Sequence, residues 1–235
     1  MKITFREYSL KKINFKTLFF LIIFPLVLLA CKADEIEVSI KSNDLKKVIS
    51  GNTVSVGFEA ELNMMAENNS ETKAQIRAIE KIIDKYIIVE EFDVTAGDFG
   101  FKIKIEGEMP LIYSPDGSMI QSVRSPWAMV ISDNRGRGIL SEFPYKLMFS
   151  STSQFDPFSG ELNRINLLLS PDRRQPIKLK LRRTGQDKLR IFTGSVEVFG
   201  ESHVLYEASI EKRVSLTMKG GVYDRTPQVI LFSMK

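Results

Sequence analysis

Beyond Tyr86 the hydrophobic residues of this chain recur at every second position, in nine separate short runs. The runs cover 87–95, 99–109, 127–132, 145–150, 162–169, 176–183, 188–199, 203–218 and 228–234. Such alternation puts one face of a pleated strand in a core and the other in water. Turn signals part the runs, among them Ala96-Gly97-Asp98, Ser114-Pro115-Asp116-Gly117, Ser170-Pro171-Asp172, Thr184-Gly185-Gln186-Asp187 and Gly220-Gly221. Strands joined by short turns, with no helices between them, predict antiparallel meanders.

The stretch before Tyr86 reads differently. Ile36 to Ile40 is strand-like, and Val54, Val56, Phe58, Ala60 and Leu62 alternate with polar residues. Residues 43–49 predict a short helix capped by Asn43 or Ser42 and stopped by Gly51. Ile76, Ile79, Ile82, Ile83 and Tyr86 recur at helical spacing, so 70–86 predicts the main amphipathic helix, with Ser70 as its N-cap. The fold class expected is α+β, a predominantly antiparallel sheet with these two helices. Ser150 to Gly160 is the longest stretch without a pattern and is expected to be a mobile loop.

The N-terminus is an export signal. Lys2, Arg6, Lys11, Lys12 and Lys16 precede thirteen uncharged residues, Leu18 to Ala30. A membrane span needs about 20 apolar residues, so this run is short for one. It ends Leu28-Leu29-Ala30-Cys31, followed by Lys32. These four residues resemble the lipobox of bacterial lipoproteins. The resemblance covers the first 31 residues and implies cleavage before Cys31, acylation of Cys31 and anchoring through the acyl chains. Lys32, where lipoproteins kept in the inner membrane often carry Asp, implies the outer membrane, facing the periplasm. The division expected is thus a signal peptide at 1–30, a tether at 31–35 and one β-rich domain at 36–235, with a subdomain break near 110.

Composition limits the chemistry. One Cys excludes an internal disulfide and any multi-Cys metal site, and one His argues against imidazole-based sites. That residue, His203, reads as a turn or surface histidine, and no G-x-S-x-G elbow is present. Asp98-Phe99-Gly100 and Arg135-Gly136-Arg137-Gly138 lack the partners that would make them nucleotide motifs. The pairs Glu59/Glu61 and Glu106/Glu108, and the group Glu90/Glu91/Asp93, read as solvated strand faces rather than calcium or glycosidase sites. No cofactor, no metal and no enzymatic activity are expected.

Charge is the feature that rises above background. The signal segment takes five basic residues and one acidic one from totals of 33 and 29, so residues 31–235 hold 28 of each. The basic pI therefore belongs to the precursor, and no argument from overall basicity to nucleic acid survives. Yet 173–190, RRQPIKLKLRRTGQDKLR, carries eight basic residues and one acid. A hairpin here is expected to bury Ile177, Leu179 and Leu181. It presents a ridge made by Arg173, Arg174, Lys178, Lys180, Arg182, Arg183, Lys188 and Arg190. The functional expectation is a membrane-anchored envelope lipoprotein, non-enzymatic, with a protein, lipid or glycan partner, the ridge meeting an anionic lipid or an acidic envelope protein. The alternatives are an envelope hydrolase and a carrier of a small apolar ligand.

Overall fold

A computed structural model describes residues 33–97, 100–116, 123–134, 138–166, 169, 171–173, 175–218 and 228–235. The expected signal peptide, Cys31, the Gly220-Gly221 pair, Asp98-Phe99 and Arg135–Arg137 lie outside the described residues.

The elements are β1 (Ala33–Lys41), α1 (Ser42–Ile49), β2 (Val54–Met64), α2 (Ser70–Tyr86), β3 (Ile88–Gly97), β4 (Gly100–Tyr113), β5 (Trp127–Asp133) and β6 (Tyr145–Ser151), then α3 (Phe155–Ile165), β7 (Ile177–Arg182), β8 (Leu189–Val198), β9 (Glu201–Ile210), β10 (Arg213–Met218) and β11 (Val229–Met234). The class is α+β, but the sheet is no open meander. Nine strands form a ring in the order β10-β7-β1-β2-β4-β5-β6-β11-β8. Strand β8 closes it by pairing with β11 along Leu189–Thr193 and with β10 at Glu197 and Val198. Strands β3 and β9 flank the ring on β4 and β8. Two neighbours are parallel, β1 with β7 and β4 with β5. A parallel neighbour needs a long connection, and thirteen residues separate Tyr113 from Trp127. Tyr113 also ties that pair together. Its hydroxyl donates to Asp133 at 2.6 Å, and this bond, with burial, pushes the phenol up to about 12.

The alternation follows the core as expected. Ile36, Val38 and Ile40 lie level with Ile177, Leu179 and Leu181, and all six are buried. Burying such side chains contributes about 1.5–3 kcal/mol each. Helix α1 brings Leu45 and Val48 into the core beside the end of β1. Its N-cap is Lys41, one residue before the expected pair, with the Lys41 amide donating to the Asp44 carboxylate at 3.1 Å. Ser42 is instead buried, accepting from the Thr184 amide and donating to the Thr184 carbonyl, both at 2.9 Å. Gly51 does stop the helix, at φ +91. Helix α2 spans 70–86 as expected, but its cap is Asn69, whose side chain accepts from the Thr72 amide at 2.9 Å.

Helix α3 corrects two expectations, the loop at 150–160 and the strand at 162–169. Phe155, Phe158 and Leu162 form its buried stripe. Pro157 sits in the first turn, where its missing N–H is harmless, and Asp156 favours the helix N-terminus. Gly160, exposed at mid-helix, hides the pattern in the sequence. Tyr86 of α2 meets Phe158 edge-on at 5.5 Å and donates to Glu161 at 2.8 Å, with Lys85 at 2.6 Å from the same carboxylate. The expected strand 203–218 is likewise two strands, broken at Glu211-Lys212.

On the outer side of the ring Phe143, following a 3₁₀ turn at Gly138–Glu142, is buried against Phe192 of β8 at 5.8 Å. Asn134 holds this segment by donating to the Leu140 and Phe143 carbonyls, each at 2.7 Å.

A cationic rung on the outer face of the barrel

Inward burial of Ile177, Leu179 and Leu181 turns Lys178, Lys180 and Arg182 outward, because successive side chains of a strand face opposite ways. The expected orientation holds; the expected hairpin does not. Strand β10 lies between β7 and β8, and the other neighbour of β7 is β1. The partners of the ridge are therefore set by β1 and β10.

Three outward rungs result. Glu37, Lys178 and Thr217 lie level, then Ser39, Lys180 and Ser215, then Lys41, Arg182 and Arg213. Glu37 accepts from both Lys180 and Lys178, the latter at 3.3 Å. Burial pushes the Glu37 carboxyl up, but the hydrogen bonds from Lys180 and Lys178 outweigh it and hold the group below its ordinary value of 4.5. A lowered carboxylate contributes stability above its unfolded-state value and loses it as pH falls through the folded one. Urea midpoints are thus expected to drop below pH 4.5, and Glu37→Gln is expected to lower the midpoint at pH 7 while making that acid slope shallower.

The third rung has no such acid. Lys41, Arg182 and Arg213 sit side by side on three adjacent strands. Among the described residues no carboxylate forms an ion pair with any of the three. Directly opposed like charges destabilise a sheet by about 0.2–1 kcal/mol per pair. An open groove of about 510 Å³ runs along this face; it is lined by the three cations, by Lys178 and Lys180, and by Phe199, and among the described residues no acid lines it.

The rest of the basic run disperses. Arg173 pairs with Asp156 at 2.5 Å and lies over the Phe155 ring at 5.1 Å. Arg183 reaches Glu211 at 3.6 Å and the Gln186 carbonyl at 3.0 Å. Lys188 is exposed, and its backbone pairs with that of Lys235. Arg190 bridges Glu142 and Glu207 at 3.2 and 2.6 Å and covers the Phe143 ring. Arg174 lies outside the described residues. Of the eight expected cations, three belong to the groove. Lys41, Arg213 and Phe199 join them from distant parts of the chain, and no local signal in the sequence marks them.

The other candidates resolve plainly. Lys104 lies between Glu106 at 2.5 Å and Glu59 at 3.2 Å, and hydrogen bonds to these, Glu106 first, raise its pKa. Lys102 meets Glu61 at 2.8 Å. Among the described residues no three acids, His or Cys group as metal ligands. His203 lies within β9, not in a turn, with its ring 5.2 Å from Tyr206. Between α2, α3 and the inward side chains of Ile36, Ala60 and Leu62 is an apolar cavity of about 40 Å³. Sites that enclose drug-sized ligands run to about 300–1,000 Å³. Trp127 lines the cavity, and its buried Nε1 has no hydrogen-bond partner among the described residues.

No family model matches the chain, and a search of curated proteins finds no similar sequence. Among the described residues no helix is long and apolar enough to cross a membrane.

Proposed function

We propose that this chain is a non-enzymatic envelope lipoprotein, held at a membrane through acylated Cys31, whose barrel binds an anionic partner at the Lys41–Arg182–Arg213 rung. One observation carries the binding reading: three cations stand level on adjacent strands, and among the described residues no acid lines their groove. A sheet face that is only solvated gains nothing from such a row, whereas an anion that neutralises it gains from all three charges at once.

The test uses the zero net charge of residues 31–235. Such a chain is held on a cation-exchange matrix at pH 7 only by a local cluster. Replacing Lys41, Arg182 and Arg213 by Gln is expected to abolish retention. Replacing the exposed Lys47, Lys73 and Lys81 by Gln changes net charge equally and is expected to leave most of it. Arg182→Gln alone is expected to stabilise the barrel by about 0.4–2 kcal/mol, since it removes a like charge from two pairs, with Lys41 and with Arg213. Equal retention of the two triple variants would refute the site.

A further inference from the structure

We propose that the groove and the Phe199 hairpin tip together dock on an anionic phospholipid bilayer, the cations meeting headgroup phosphates and Phe199 entering the boundary between headgroups and acyl chains. This rests on the anionic-partner reading above and names the partner.

The decisive residue is Phe199. Strands β8 and β9 are joined by Phe199 and Gly200, both left-handed, at φ 52 and 86. Asn, Asp or Gly ordinarily fills the first of these positions, because a bulky side chain is strained there. Phe199 gains no burial in return, being 81% exposed. Val204 and Leu205 on the same hairpin are 84% and 67% exposed. A strained and exposed Phe199 at the hairpin turn points to something outside the chain that takes it up.

The charge pattern says what that is. Phe199 shares the groove with Lys41, Arg182 and Arg213. Cations beside an exposed aromatic side chain match the two layers of an anionic bilayer, charged headgroups over acyl chains. A soluble anion, or an acidic protein bound by charge alone, uses the cations and leaves Phe199 in water.

The anchor reading adds an orientation. Cys31 lies two residues before Ala33, the start of β1, and Lys41 is at its end. The ends of β1 are about 26 Å apart, at ~3.3 Å per residue. Charge attraction at physiological salt reaches only about 8 Å. An upright barrel therefore holds the rung out of range of its own membrane. A barrel lying on the outer face of β1, β7 and β10 engages anchor and rung together.

The experiment reconstitutes the mature, acylated chain (residues 31–235) carrying Phe199→Trp in vesicles containing brominated phospholipid, either all neutral or with a phosphatidylglycerol fraction. Trp127, buried in the barrel, is the unquenched reference. The introduced indole is expected to be quenched and blue-shifted in anionic vesicles and not in neutral ones. Replacing Lys41, Arg182 and Arg213 by Gln is expected to lower the docked population roughly 100-fold, at about fivefold per basic residue near an anionic surface. Trp127 emission reports that this variant stays folded. An unquenched tip indole in anionic vesicles, or equal quenching in neutral ones, overturns the proposal. Flotation with neutral vesicles reads the acyl anchor separately. Binding of soluble poly-glutamate by a chain whose tip indole stays unquenched keeps the anionic-partner reading and overturns the bilayer.

Discussion

A single methyl group added at residue 107 is expected to cost the barrel about 3 kcal/mol or more, at the upper end of what overpacking does. Gly107 lies on β4, level with Phe58 of β2 on one side and Val89 of β3 on the other. A Cβ built there falls 2.3 Å from the Ile88 carbonyl oxygen and 3.1 Å from Phe58 Cε1. The ring of Phe58 can shift; the Ile88 carbonyl belongs to the backbone and cannot move without the strand. The register of β3 on β4 slips at this point, between Val89 and Glu91, which brings the incoming chain close over residue 107. Total stabilities of domains run to about 5–15 kcal/mol, so Gly107→Ala removes a large fraction. Gly160→Ala is the matched control. Nothing lies within 4 Å of its added Cβ, and it sits exposed inside α3. Ala is the better helix former by roughly 1 kcal/mol, so this variant is expected to be more stable than the parent. Urea unfolding of both variants checks the pair; a neutral Gly107→Ala would show that β3 does not approach β4 as described.

The second large effect concerns the anchor. Cys31→Ser is expected to abolish acylation and release the protein from the membrane fraction, if Cys31 carries the acyl chains as proposed. Each buried acyl CH₂ is worth about 0.8 kcal/mol, so losing them removes almost all membrane affinity in one step. The fold is expected to survive, because residue 31 precedes the first strand residue, Ala33. Incorporation of labelled fatty acid into wild type and variant, with membrane fractionation, checks it. A wild type that takes up no label would show the lipoprotein reading to be wrong, whatever the groove binds.

The two effects sit on different levels of legibility. Helix α2 was readable because Ile76, Ile79, Ile83 and Tyr86 face one core, so local periodicity and burial agree. The same agreement made most strands readable, and with them the inward turn of Ile177, Leu179 and Leu181. Helix α3 was hidden because Pro157 and Gly160 are common loop residues, and its stability rests largely on burial of Phe155, Phe158 and Leu162, which local propensity does not record.

Sequence alone determined which face of strands such as β2, β4 and β7 is apolar, since the two-residue period leaves no choice once one face is buried. It also determined that β7 carries outward cations. It did not determine their neighbours. Strand order is a long-range property: β1 beside β7 joins residues 141 positions apart, and β10 separates β7 from β8. Tertiary structure therefore decided that Glu37 pairs with Lys178 and Lys180, that Arg190 pairs with Glu142 and Glu207, and that Lys41, Arg182 and Arg213 are left level with one another beside Phe199. The physical reason is that ring closure brings together strand edges whose pairing no short window of sequence records.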